Sequence, residues 1–392
     1  MADHQTITRD DQGVAMIPYA TQWVDDEDIA AVAQALKTAY LTQGPLVDEF
    51  EAKTASYCGA KYAVAFNSGT SALHGACFAA GLKAGDEAIT SPITFVATAN
   101  AVLYCGAKPL FADIDPQTIN LDPTAVAGQI TAKTKAILPV HYAGQSCEMA
   151  ALSKLAKERN LTVIEDACHA LGADYQGKKI GAGQYSDLTI LSFHAVKHIT
   201  TGEGGMVLTN NKEFYEKLKT FRTHGITRDL KLLIEKDPGP WVYEMQALGF
   251  NYRLTDFQSA LGMSQLKKLD QFVARRREIV ARYQAAFKNV PGLATIQEKN
   301  DCRSAWHIYP IMVKGDRRKI FDALRAKGLG VNVHYIPVYW QPYYRQLGYQ
   351  KGLCPRAEAY YQNTITLPLY PKMSDQEVET VIAVVKERVN GR

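Results

Sequence analysis

The run Leu188-Thr-Ile-Leu-Ser192-Phe-His-Ala-Val-Lys197-His-Ile-Thr-Thr-Gly202-Glu-Gly204-Gly205-Met-Val-Leu-Thr209 joins two apolar segments through a loop with one lysine and a glycine cluster. Apolar runs of this length, bounded by turn residues, read as buried strands. A lysine flanked by small residues and glycines suggests an amine held against a flat, phosphorylated ligand. Such an amine forms a Schiff base with an aldehyde, and pyridoxal phosphate (PLP) is the usual one. Three further parts must then occur elsewhere: a phosphate cradle, an acid for the ring nitrogen and an aromatic cover for the ring.

Outward from that run, the same alternation continues. Candidate strands are Tyr62–Phe66, Glu87–Thr90, Pro109–Asp113, Ala136–Val140 and Thr162–Glu165, with helical patterns near Thr70–Ala80, Phe95–Tyr104, Thr124–Gln129, Met149–Arg159 and Glu213–Arg222. Near-continuous apolar strands separated by helices predict an α/β fold with a large, mostly parallel sheet covered on both faces. After about residue 250 the pattern changes. Leu254 to Phe287 reads as one long helix with Leu261, Leu266, Leu269, Phe272 and Val273 inward. Strands at Ile308–Val313 and Val331–Tyr335 and helices at Arg318–Ala326 and Asp375–Val389 make a small α+β domain. The expected division is a loose tail over 1–15, a large domain over 16–250 and a connecting helix with a small domain over 251–392. Near the start, Asp25 or Asp26 can cap a helix whose apolar face is Ile29, Val32, Ala33 and Leu36.

Composition narrows the classes. The chain has 392 residues, 47% hydrophobic and 21% charged, as expected of a soluble globular protein. The net charge of +4, from 44 basic and 40 acidic residues, makes no case for nucleic acid. No run of about 18 apolar residues predicts a membrane span, and the first residues carry no secretion pattern. Seven cysteines without a Cys-x-x-Cys pair argue against a zinc site or disulfide framework and for a cytoplasmic setting. No metal is expected. The basic cluster Lys267-Lys268 with Arg275-Arg276-Arg277 reads as a solvated helix face.

The missing parts are present in order. Asn67-Ser-Gly69-Thr70-Ser71-Ala-Leu73 follows a strand and opens a helix, so its backbone N–H groups and hydroxyls could hold a phosphate. An ordinary capped strand–helix turn is the alternative. Ser192 adds a hydroxyl at another strand end. Val163-Ile-Glu165-Asp166-Ala-Cys-His169 places Asp166 at the carboxyl end of an apolar strand, where open α/β sheets bind ligands. A buried carboxylate there would keep a pyridine nitrogen protonated; a strand-end cap is the alternative. Phe95 in Ser91-Pro-Ile-Thr-Phe95 could cover the ring or belong to a helix core. His169 could contact the ring hydroxyl or be a satisfied core histidine.

These blocks, with Gly249-Phe-Asn251-Tyr-Arg253-Leu, resemble the DegT/StrS family of sugar-nucleotide aminotransferases. That family has the PLP-dependent transferase fold type I of aspartate aminotransferase, and the resemblance runs from about Ile17 to the C-terminus. It implies that Lys197 bonds the cofactor, Asp166 partners the pyridine nitrogen, Phe95 stacks on the ring and His169 lies near its hydroxyl. Catalytic residues would be Lys197, Asp166 and His169. Gly69, Thr70, Ser71 and Ser192 would hold the phosphate, with Asn251 reaching the phosphate of a neighbouring subunit in a homodimer. The blocks Tyr40-Leu-Thr-Gln-Gly44, Trp306-His-Ile-Tyr-Pro-Ile311 and Val333-His-Tyr-Ile-Pro337 resemble most the members that serve pseudaminic acid synthesis. Those transfer nitrogen from L-glutamate to C4 of a UDP-linked 4-keto-6-deoxy-N-acetylhexosamine. By the same resemblance the sugar nucleotide would meet Tyr19, Tyr40, Leu41, Thr42, Asn251, His334 and Tyr335. Other readings are an aminotransferase for a different 4-keto sugar nucleotide, a sugar dehydratase on the same cofactor, or a non-catalytic regulator. In the family's dehydratases histidine replaces the lysine, and this chain keeps Lys197.

Overall fold

A computed structural model describes residues 16–235 and 239–389. The tail expected over 1–15 lies outside them.

Seven strands form the main sheet. Across it they run Tyr62–Phe66, Gly205–Thr209, Leu188–Ser192, Thr162–Asp166, Thr134–Leu138, Glu87–Thr90 and Lys108–Phe111. Gly205–Thr209 is antiparallel to both its neighbours, and the other four side-by-side pairs are parallel. Every residue of Gly205–Thr209 is buried, as is all but the first of Thr162–Asp166. This burial explains why their sequences are almost continuously apolar. Because the shared direction puts several carboxyl ends on one rim, the loops after Phe66, Asp166 and Ser192 can meet there.

The helix Gly69–Ala79 starts at that rim. Ser68 is its N-cap, and Ser71 returns the bond to the Ser68 backbone, closing a capping box. The long helix Asp256–Phe287 starts with a second box, Thr255 with Gln258. It buries Leu269, Phe272, Val273, Ile279 and Tyr283 along its length. An antiparallel sheet of Leu293–Thr295, Tyr309–Val313 and Thr364–Leu367 follows, flanked by Arg317–Ala326 and Asp375–Val389. One apolar cluster joins Ile93, Phe111 and Tyr142 of the large sheet's side to Tyr283, Ile311 and Leu367. The C-terminal sheet is thereby fixed to the wall of the rim. No helix among the described residues is long and apolar enough to cross a membrane.

Three local expectations are corrected. The helix Asp26–Ala35 is capped by Asp25 but buries Asp28 and Ala35, leaving Ile29, Ala33 and Leu36 exposed. Its buried acid accepts from Gln265 Nε2 and Lys268 Nζ, both at 2.7 Å. Lys268 and Arg276 are therefore not on a solvated face. Arg276 is fully buried, with Nη1 donating to the carbonyls of His307 (3.1 Å) and Leu369 (3.0 Å). The segment 331–335 forms no strand. Asn332 makes a single bridge with Thr366, after which His334 Nδ1 meets Thr366 Oγ1 at 2.9 Å and Tyr142 Oη donates to the His334 carbonyl at 2.7 Å. Side chains thus take the bonds that a strand ladder would have used.

Candidate active site

A cavity of about 460 Å³ opens at the rim. Gly69, Thr70, Phe95, Asp166, His169, Ser192 and Lys197 line it, together with Tyr19, His334 and Tyr335. Ten residues named from the sequence therefore converge on one space. Six places in the chain deliver them: the segment before Asp26–Ala35, the start of Gly69–Ala79, the turn before the helix Ala97–Tyr104, the end of Thr162–Asp166 with the turn after it, the end of Leu188–Ser192 with its loop, and the segment beyond Tyr309–Val313.

The acid is tightly held. Asp166 Oδ2 accepts from Thr98 Oγ1 at 2.7 Å and Oδ1 from the Cys168 N–H at 3.1 Å. Thr98 Oγ1 also lies 2.9 Å from Thr94 Oγ1. Behind the acid, on the preceding residue of the strand, Glu165 Oε1 stands 2.5 Å from His141 Nε2. Ser186 and Thr189 hydroxyls donate to Glu165 Oε2, and the Cys147 N–H donates to His141 Nδ1. Nε2 consequently carries the ring proton toward the carboxylate. Burial pulls His141 down and the Glu165 charge opposes it, while the bond from the Cys147 N–H to Nδ1 keeps the ring neutral. Burial opposes ionisation of Glu165, yet the hydrogen bonds from His141, Ser186 and Thr189 leave it below its usual range.

Lys197 is half-buried in the cavity wall, and loss of solvent lowers its amine below the ordinary 10.5. Its Nζ lies 3.5 Å from His307 Nε2. His169 is buried, held well below its usual value by burial, with Nε2 at 3.2 Å from Tyr335 Oη. Phe95 is 60% exposed, so it is no helix-core residue; its ring stands at the cavity edge. Gly69 allows close packing of the cradle, since a Cβ there would lie 3.0 Å from Ser192 Cβ.

Five named residues lie outside the cavity lining. Ser71 spends its hydroxyl on the helix cap and on Asn67 Oδ1 (2.7 Å). Asn251 is exposed, bridges Thr223 and has its carbonyl 3.5 Å from Asn67 Nδ2. Tyr40 and Leu41 are 57% and 50% exposed, and Thr42 bridges Thr255. In the other direction, the cavity includes Ser68, Thr94, Thr98, Cys168, Glu203 and His307, which the sequence reading did not select. Thr98 lies in the first turn of the helix Ala97–Tyr104, and Thr94 in the bend just before it.

The donor set fits PLP. Backbone N–H groups at a helix start, a bridged buried carboxylate, a free amine and a ring-sized aromatic face share one rim. Sheet, rim and donor set define an aminotransferase of fold type I. The chain belongs to the DegT/DnrJ/EryC1/StrS aminotransferase family, which matches residues 22–386, and its cofactor is PLP. Among its relatives, the spore coat polysaccharide biosynthesis protein SpsC of Bacillus subtilis is 42% identical over 96% of this chain and 97% of its own. The UDP-4-amino-4,6-dideoxy-N-acetyl-beta-L-altrosamine transaminase of Campylobacter jejuni strain 81-176 is 41% identical over 93% and 96%. Of solved structures, Helicobacter pylori PseC, an aminotransferase in pseudoaminic acid biosynthesis, superposes with a TM-score of 0.89. It is 36% identical and covers 96% of this chain and 100% of its own. The PLP form of the putative sugar aminotransferase Spr1654 from Streptococcus pneumoniae gives 0.88 at 30% identity, covering 95% and 99%.

Proposed function

We propose that this aminotransferase moves nitrogen from L-glutamate to C4 of a UDP-linked 4-keto-6-deoxy-N-acetylhexosamine. The observation that carries the chemistry is the meeting of Lys197 and Asp166 in one cavity. The sugar is supported by the Campylobacter and Helicobacter relatives. Their similarity extends over nearly the whole chain.

Each residue has a distinct task in this reading. Bound PLP supplies an electron sink for the substrate carbon that loses its proton. Gly69 and Thr70 at the helix start, with Ser192, hold the phosphate. Asp166 keeps a negative charge opposite the ring nitrogen, with Thr98 and the Cys168 N–H fixing its orientation. Phe95 covers the ring and His169 lies beside its hydroxyl. Lys197 holds the cofactor and, once released, moves the proton as general base. Its lowered pKa favours the neutral amine that this role needs. Tyr19, His334 and Tyr335 bind the sugar nucleotide from the C-terminal side of the cavity.

Asn251, Tyr40, Leu41 and Thr42 serve a second subunit in this reading, because they stand outside their own cavity. The segment 230–248 exposes Leu230, Leu232, Ile234, Trp241 and Leu248. Such an apolar surface suits burial in a homodimer. A cytoplasmic setting agrees with nucleotide sugar and glutamate as substrates.

The test is an assay of 4-keto sugars on UDP, GDP and dTDP with glutamate. Release of 2-oxoglutarate is followed, and the C4 configuration of the product is read by NMR. Fastest turnover is expected for the UDP-linked acetamido sugar. Turnover confined to a GDP or dTDP sugar would replace the substrate. Failure to release 2-oxoglutarate with any of them would remove the reaction.

A further inference from the structure

His307 has no task in the scheme above, yet it stands against the lysine. Its Nε2 is 3.5 Å from Lys197 Nζ, and its ring faces that of His169 with centroids 4.4 Å apart. It is buried and lines the same cavity. Its other ring nitrogen, Nδ1, is buried with no hydrogen-bond partner among the described residues.

The backbone that presents it is held against a local preference. Trp306, 1% exposed, has φ at 49°, a left-handed conformation that bulky side chains avoid. Ser304 Oγ accepts from the Trp306 N–H at 3.1 Å, and the His307 N–H donates to the Ala143 carbonyl at 2.9 Å. Arg276 Nη1 reaches the carbonyls of both Trp306 and His307. Gly144 is required for the close approach, because a Cβ there would lie 2.6 Å from Trp306 N and 2.7 Å from the His169 carbonyl. Strained residues persist where their surroundings over-determine them, and they cluster at functional sites. A histidine with only a packing role would need neither this clamp nor an unpaired nitrogen.

We infer that His307 is a positioning residue for Lys197, its neutral imidazole accepting a hydrogen bond at Nε2 from the lysine nitrogen whenever that nitrogen is not bonded to the cofactor. The inference rests on the assignment of Lys197 made above. The direction follows from the donor inventory: an ammonium offers three N–H groups and no lone pair, so Nε2 accepts. No proton moves to His307. When Lys197 takes the proton from the substrate carbon, the new ammonium directs one N–H to Nε2 and is stabilised there.

Other groups face this pair. Burial, then the Lys197 charge, keep His307 well below its usual value, and His169, His198 and Arg276 act in the same sense. On Lys197, Cys168 and Asp166 oppose the dominant effect of burial, while Arg276 adds to it. His198 turns Nε2 to the Ala305 carbonyl at 3.1 Å and offers Lys197 no competing acceptor there. His334 and Tyr335 face the amine from the C-terminal segment, and His194 and Glu203 from the mouth of its own loop.

The experiment uses holoenzyme converted by glutamate to its pyridoxamine phosphate form, which leaves Lys197 free. Acetic anhydride labelling of the Lys197 peptide is followed by mass spectrometry across a pH series. In His307→Phe the labelling midpoint is expected about one pH unit lower, since the ammonium loses its acceptor. In His307→Gln, whose amide oxygen can accept, the midpoint is expected back near wild type. The glutamate half-reaction should lose about tenfold in kcat in the Phe variant, with KM within about twofold, and recover in the Gln variant. His307→Leu repeats the deletion should the Phe variant misfold. Midpoints that coincide in all variants, or move upward, would overturn the inference. Borohydride reduction separates this from failure of the lysine assignment: cofactor fixed to a residue other than Lys197 defeats that assignment, while fixation at Lys197 with coincident midpoints defeats only the role of His307.

Discussion

Thr98 shows how much of the chemistry sits one bond behind the residues that meet the ligand. Its hydroxyl donates to the Asp166 carboxylate, beside the Cys168 N–H. Thr98→Val keeps the shape and removes that donor. A hydrogen bond to a buried charge is worth roughly 1.5–3 kcal/mol, so retention of PLP on dialysis should weaken by about tenfold or more. Unchanged retention would mean that the acid is oriented without Thr98. Single residues were unevenly legible. Lys197 and Asp166 stand out in sequence because glycines or an apolar strand surround them. His307 does not, because its meaning depends on Arg276, Gly144 and Ala143, all distant in the chain.

At the scale of elements, the strands of the main sheet were readable for a physical reason. Burial on both faces leaves an unbroken apolar run that periodicity detects. The helix Asp26–Ala35 was not readable in the same way. Its buried face contains Asp28, stabilised by Lys268 from a helix more than two hundred residues away, so hydrophobicity pointed to the wrong side. The segment 331–335 failed similarly, since hydroxyls of Thr366 and Tyr142 took over its polar groups.

The strand Thr162–Asp166 carries its own prediction through His141 and Glu165. The lowered Glu165 carboxyl contributes stability above its ordinary 4.5 and loses it as acid is added. The Tm difference between wild type and the double variant His141→Gln/Glu165→Gln should therefore be largest above about pH 5.5 and shrink as the pH falls below about 4.5. A pH-independent difference would show that the pair acts by shape alone.

For the whole molecule, the proposed homodimer makes a test by complementation possible. Lys197→Ala and Asn251→Ala subunits should each be nearly inactive alone. Reassembled in equal amounts, half the dimers are mixed, and each mixed dimer holds one site with both residues intact. Activity of about a quarter of wild type is expected. A rate no greater than the sum of the separate variants would place Asn251 in service of its own subunit.

The direction of Gly205–Thr209 has a mechanical consequence. Ser192 is paired with Gly205 across the ladder, so residues 193–204 leave and re-enter the sheet side by side. The amine rides on a hairpin anchored at both feet, unlike a crossover whose ends are a helix apart. Slippage by one residue at either foot would turn Ser192 or Gly205 to the opposite face. Lengthening this hairpin should therefore be far less tolerable to catalysis than insertions in the outer connections, which have no such tether to the reacting nitrogen.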